Sequence, residues 1–154
     1  RGIKRSLNEG GIRVPLIVRW TGKAKPNTVS ELPVAFWDLM PTVAQAARSR
    51  APRDIDGISF LPTLQSLPQT QRHEFLYWEF HEGGSQQAAR MGDWKAIRPE
   101  LGKALELYNL KTDIGETKNV AAQNPDVVIK FENFLRTART RSTHWPITKR
   151  HASR

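Results

Sequence analysis

The apolar positions of the chain fall into distinct patterns before and after residue 74. Ile12 to Trp20 is a dense run of β-branched and apolar residues, which predicts a buried strand. Pro15 near its start places that strand at a sheet edge or entrance, because proline cannot donate to a ladder. Thr21-Gly22-Lys23 ends the run. A helix is expected next. Asp38 fits its N-cap, Pro41 is tolerated in the first turn, and Val43, Ala44 and Ala47 share a face. Residues 51–73 read as a connector punctuated by Pro52, Asp56-Gly57 and Pro62, with Ser59 capping a short helix through Leu64.

From residue 74 the periods shorten. Phe75 to Phe80, Gln86 to Met91, Trp94 to Arg98 and Leu105 to Leu110 read as four strands. Gly92-Asp93 fits a two-residue hairpin turn with glycine first. Arg90 and Lys95 alternate with apolar residues and read as the solvent face. A helix then opens with Asn124 as cap, Pro125 at the first helical position and Asp126 complementing the dipole. Its apolar stripe is Val128, Phe131, Leu135 and Ala138. One such stripe covers one face of a four-stranded antiparallel sheet, so the expected fold is α+β.

Composition narrows the classes. The chain has 154 residues, 38% apolar and 25% charged, which suits a globular domain. No apolar run approaches the roughly 20 residues that span a bilayer, so no membrane span is expected. No leader segment is visible, and the compartment stays open. There is no cysteine, so disulfides and thiolate metal sites are excluded within the chain. The net charge of +9 attracts polyanions. Its C-terminal share comes from Arg136, Arg139, Arg141, Lys149, Arg150 and Arg154, against Glu132 alone. A solvated basic tail over 141–154 explains this more simply than nucleic-acid binding, since the tail offers only Trp145 for base stacking.

Few residues suggest chemistry. No Gly-x-Ser-x-Gly run occurs, and His73, His81, His144 and His151 show no metal-ligand spacing. Asp54 and Asp56 fit a turn, and no metal site is expected in the chain. The stretch Lys4-x4-Glu9-Gly10-Gly11-x-Arg13-x-Pro15 follows neither a helical nor a strand period. Its paired glycines permit positive φ and close backbone approach. Lys4, held upstream of a rigid element, could set its ammonium against an anionic oxygen. On the residues alone, a solvated loop lysine is the simpler reading.

Gly2-Ile3-Lys4-Arg5 through Glu9-Gly10-Gly11-Ile12-Arg13-Val14-Pro15 and Ile17-Val18-Arg19-Trp20 resembles the arylsulfatase family of sulfatases. Asp38-Leu39-Met40-Pro41-Thr42 and Asp56-Gly57-Ile58-Ser59-Phe60-Leu61-Pro62 are similar to later segments of that family, in its order. So are Tyr77-Trp78-Glu79-Phe80, Ala89 to Lys95, Glu106 to Leu110, Asp113-x-Gly115-Glu116 and Asn119-Val120-Ala121. The similarity covers residues 1 to about 140, with Asn109 standing where the family usually has Asp.

The resemblance implies the C-terminal portion of an alkaline-phosphatase-like enzyme that hydrolyses sulfate esters. Residues 1–50 would be the last strand and helix of its catalytic α/β domain. Residues 51–73 would connect to an antiparallel-sheet-plus-helix subdomain over 74–140. The formylglycine nucleophile and the calcium ligands lie in the family's N-terminal part, outside this chain. Of the active-site set, only the lysine before Glu-Gly-Gly carries over, as Lys4, which binds a sulfate oxygen and neutralises charge as the ester bond breaks.

The loop His81 to Gln87 is a second candidate, whose His81 and Gln86 could touch the substrate's organic part; a plain hairpin loop between Phe80 and Gln86 is the simpler reading. Trp78, Trp94 and Tyr108 read as core, and Glu9 and Arg13 as structural. The expected partners are a sulfate-ester substrate and the N-terminal catalytic domain. Alternatives are a phosphate or phosphonate ester hydrolase of the same superfamily and a non-catalytic basic module that binds polyanions. Whichever holds, Ile12 to Trp20 is expected to expose apolar surface in the isolated chain.

Overall fold

The computed structural model describes residues 1–148; the remaining tail positions, with His151, Lys149, Arg150 and Arg154, lie outside the described residues. The chain forms two compact units, Pro15–His73 and Arg1–Val14 together with residues 74 onward.

The first unit is small and helical. A 3-10 turn over Phe36–Asp38 leads into α2, Leu39–Ala46, and a short helix α3, Leu61–Leu64, follows (α1, Glu9–Ile12, belongs to the other unit). Asp38 sits at the N-cap position but caps nothing with its side chain. Its carboxylate instead accepts from the Ala35 and Ile58 amides at 2.7 and 2.8 Å and faces His73 Nε2 at 2.8 Å. It therefore ties three segments of this unit together. The buried side of α2 is Pro41 and Thr42, and Val43 points outward. Ser59 Oγ accepts from the Leu61 amide at 3.3 Å, as a cap one residue ahead of the N-cap Phe60.

The expected strand over 12–20 does not form. Ile12 ends α1, and residues 13–20 carry no regular structure. A strand needs a ladder partner, and none pairs with this segment among the described residues. Val14, Leu16, Ile17 and Val18 are exposed, Ile17 at 90%, matching the apolar surface expected there.

The second unit holds the sheet: β1 Leu76–Phe80, β2 Gln86–Met91, β3 Trp94–Arg98 and β4 Glu106–Asn109, an antiparallel meander in chain order. Met91 pairs with Trp94 across the Gly92-Asp93 turn, where Gly92 has φ +56°. Helix α4, Pro125–Thr137, packs on one face. Phe131 and Leu135 meet Ala89, Ala96, Leu105 and Leu107 there. Phe75 stacks on Phe134 with centroids 4.1 Å apart and meets Phe131 edge-on.

The other face is not left to solvent. Leu7 and Ile12 pack against Ala88, Ile97, Tyr108, Trp78 and Phe80. The sheet is covered on both faces, which explains why Ala88-Ala89 and Leu107-Tyr108 are buried as consecutive residues. Lys95 shares the second face and is fully buried. It is not the solvent-facing residue that simple alternation suggests.

Candidate functional site

Lys4 stands at the tip of a tight turn. The Ser6 amide donates to Ile3 O at 3.0 Å, which puts Lys4 and Arg5 at the two central positions. Arg5 takes the left-handed conformation, φ +71°, which is uncommon for a residue with a side chain. Lys4 is exposed and makes no ion pair among the described residues.

The turn rests directly on the two glycines. The Gly10 amide donates to Arg1 O at 2.9 Å. A Cβ on Gly10 would lie 2.1 Å from Gly2 O, and one on Gly11 would lie 2.1 Å from Ser6 O and 2.7 Å from Ile3 O. Neither glycine is needed for positive φ. Both are needed because backbone passes where a side chain would start. The residues that close the Lys4 turn are the ones that touch Gly11.

The same short helix is anchored from below. Glu9 Oε1 accepts from Lys95 Nζ at 2.8 Å. Lys95 also pairs with Glu116 Oε1 at 3.0 Å, and Glu116 Oε2 accepts from the Glu9 amide at 2.7 Å. Glu9 is 6% exposed, and Lys95 and Glu116 are both 0% exposed. Three motifs far apart in sequence thus close one buried ionic cluster beneath α1. Glu116 is presented at φ +53° by the turn after β4. That turn is held by Asp113, whose carboxylate accepts from the Thr117 and Lys118 amides at 2.8 and 2.9 Å. These amides draw the Asp113 pKa down. Asn109 supplies the acceptor an Asp would give there: its Oδ1 takes the Lys111 amide at 3.1 Å.

The structure brings the second candidate loop beside the first. Arg5 Nε lies 3.0 Å from Glu82 Oε2, linking the Lys4 turn to the hairpin loop between β1 and β2. Within that loop His81 is fully engaged. Its Nε2 meets Glu79 Oε2 at 3.0 Å and its Nδ1 meets Ser85 Oγ at 3.1 Å. His81 therefore braces the loop with both ring nitrogens. Gln86 is half-buried at the start of β2, paired with Phe80. Trp78, Trp94 and Tyr108 pack in the two cores, and Arg13 is exposed.

Glu79 is the hub of this end of the sheet. Arg139 donates to it through Nε at 2.5 Å and Nη2 at 3.3 Å, and the Tyr77 hydroxyl donates as well. Burial works to raise the Glu79 pKa, but the hydrogen bonds from Arg139 and Tyr77 outweigh it and hold the carboxyl below its usual value. Burial and the neighbouring carboxylate push the Tyr77 phenol well upward. The described part of the tail folds back here: Ser85 and Thr148 exchange bonds, amide to carbonyl at 3.0 Å and amide to Oγ at 2.9 Å.

The donor set does not fit a formylglycine or calcium site. The chain has no cysteine and no Ser-x-Pro-x-Arg run. Among the described residues, no three His, Cys, Asp or Glu side chains gather to hold a metal. The two buried carboxylates, Glu9 and Glu116, are both ion-paired with Lys95. What the site can supply is cationic: one exposed ammonium on a rigidly seated turn. Sequence reasoning missed Lys95 and Arg139, because a long-range ion pair leaves no local period. The sequence carries only a hint, the consecutive apolar pairs Ala88-Ala89 and Leu107-Tyr108, which break the alternation of a one-faced sheet.

A family model described as N-sulphoglucosamine sulphohydrolase, C-terminal, matches residues 3–141. An N-acetylgalactosamine-6-O-sulfatase of Bacteroides thetaiotaomicron is 32% identical over 157 residues, covering 92% of this chain and 30% of the relative. A B. thetaiotaomicron structure solved in work on the metabolism of multiple glycosaminoglycans superposes with a TM-score of 0.68 at 29% identity, over 86% of this chain and 30% of that one. A phosphonate monoester hydrolase from Silicibacter pomeroyi shares the fold, with a TM-score of 0.59 at 16% identity, over 84% of this chain and 32% of that one. The chain spans about 30% of the length of the curated relatives it matches.

Proposed function

The chain belongs to the N-sulphoglucosamine sulphohydrolase C-terminal family, and from that premise we propose that it serves as the C-terminal part of a sulfatase that hydrolyses sulfate esters. In this reading Lys4 binds a sulfate oxygen and offsets the negative charge that builds as the ester bond breaks. The observation that carries it is the seating of the Lys4 turn on Gly10 and Gly11, above the buried cluster of Glu9, Lys95 and Glu116. A donor stabilises a transition state best when it is already in place and needs no reorganisation. Two backbone contacts and a buried ionic anchor seat a lysine that makes no ion pair among the described residues.

The nucleophile and the calcium ligands come from a preceding catalytic domain in this reading. The residues of the present chain do not fit either group, and no step is drawn through them. The 81–87 loop lies at the edge of the same site, with His81 bracing it and Gln86 directed to the organic part of the substrate. The test is hydrolysis by the full-length polypeptide that contains this chain. Release of 4-nitrophenol from 4-nitrophenyl sulfate, exceeding release from the phosphate ester and from a phenylphosphonate monoester, supports the reading. Turnover of the phosphorus esters alone would move the protein to the sister class of hydrolases.

A further inference from the structure

The turn that carries Lys4 holds an arginine where its shape favours glycine. Of its two central residues only Arg5 has positive φ, at +71°. With the Ser6 amide bonded to Ile3 O, this is a type II turn. Its second central position favours glycine, because a Cβ there is strained. What Arg5 adds is a tie to another element. Its Nε lies 3.0 Å from Glu82 Oε2 on the loop between β1 and β2. Glu82 is flanked by anchored residues. His81 meets Glu79 and Ser85 through its two ring nitrogens, and Arg139 holds Glu79 in turn. Ser85 is 1% exposed and bonded twice to Thr148. Gly10 and Gly11 thus support the Lys4 turn from beneath, and Glu82 holds it from the side.

We propose that Arg5 is a positioning residue for the reaction assigned to Lys4: paired with Glu82, it keeps the turn in the orientation that presents the Lys4 ammonium to the substrate. This rests on the reading of Lys4 given above. The two side chains are 62% and 54% exposed, so the pair has the strength of a surface ion pair. Such a pair shifts the balance between turn orientations by at most about fivefold. The sign of the charge change separates positioning from simple attraction. Arg5→Gly removes a positive charge, and Glu82→Gln removes a negative one. If Arg5 only attracted an anionic substrate, Glu82→Gln would speed the reaction. If the pair holds the turn, both variants slow it.

The test is steady-state hydrolysis of 4-nitrophenyl sulfate by the full-length polypeptide, as Arg5→Gly, Glu82→Gln, the two combined, and Lys4→Ala. Each of the first two should lower kcat by about three- to fivefold, with KM within about twofold of the parent. The combined variant should be no slower than the slower single one, because both remove the same contact. Hydrogen exchange of the Ser6 amide, which closes the turn, should be faster in both. Glycine fits the left-handed backbone, so Arg5→Gly should keep the parent's circular dichroism and urea midpoint. Arg48→Gly, the same change at an exposed left-handed arginine of the other unit, φ +54°, should leave kcat unchanged. Glu82→Gln as active as the parent or more so, additive losses in the combined variant, or a rise in KM at constant kcat would overturn the proposal. If Lys4→Ala loses activity in that case, the reading of Lys4 stands and only the role of Arg5 falls. If Lys4→Ala is as active as the parent, both fall.

Discussion

Replacing Lys95 by methionine would remove one ammonium from a closed pocket and change its volume little. It would leave two carboxylates, Glu9 at 6% and Glu116 at 0% exposure, without their shared cation. Breaking a buried ion pair by deleting one partner costs about 3–5 kcal/mol, because the remaining charge keeps its desolvation penalty. Here two charges remain. The Glu9 amide still donates to Glu116, which supports one of them and keeps the expected loss near that range. Urea unfolding at pH 7, followed by far-ultraviolet circular dichroism and by tryptophan fluorescence, to which Trp78 and Trp94 of the sheet contribute, measures it. Lys103→Met, at an exposed site, serves as the control and should change stability by no more than about 0.5 kcal/mol. Adding Glu116→Gln to Lys95→Met should restore at least about 1 kcal/mol, since one uncompensated carboxylate disappears. A loss under about 1 kcal/mol for Lys95→Met, or no recovery in the double variant, would refute the reasoning.

Gly10→Ala sets a methyl against the Gly2 and Arg1 carbonyls; it should destabilise by roughly 1–3 kcal/mol and speed hydrogen exchange of the Gly10 amide, which donates to Arg1 O. Glu79 has a lowered pKa, so its contribution is present above the unfolded value of about 4.3 and is lost as pH falls through the folded one. Arg139→Gln should accordingly cost about 1 kcal/mol at pH 7, given the pair's partial solvent access. That difference from the parent should vanish near pH 2, as read from urea midpoints. Phe131→Ala empties the centre of the helix-side core and should cost about 3–5 kcal/mol by the same unfolding assay.

Much of the second unit was legible in the sequence. The bounds of β2 and β3, the Gly92-Asp93 turn, and Phe131 and Leu135 on one face of α4 follow from local period and turn chemistry. The segment 12–20 was misread because a β-branched run specifies a strand only where a ladder partner exists. Lys95 was misread because alternation identifies two faces without saying how many are covered. Only the packing of Leu7 and Ile12 on the second face shows that a charged residue there must be buried and paired. Glu9 and its glycines were visible as a motif, but their reason was not. It is a backbone approach of Gly2 and Ser6 that no residue spacing reports.

The role of Lys4 is tested most directly by steady-state hydrolysis of 4-nitrophenyl sulfate by the full-length polypeptide, with Lys4 intact and as Lys4→Ala. Lys4 is exposed, so folding should be unaffected. The expected result is a fall in kcat/KM of about 10²–10³-fold, the size seen when one preorganised oxyanion donor is removed. Hydrolysis by the alanine variant within about threefold of the parent would contradict the assignment, and would leave Lys4 as a solvated charge on a well-built turn.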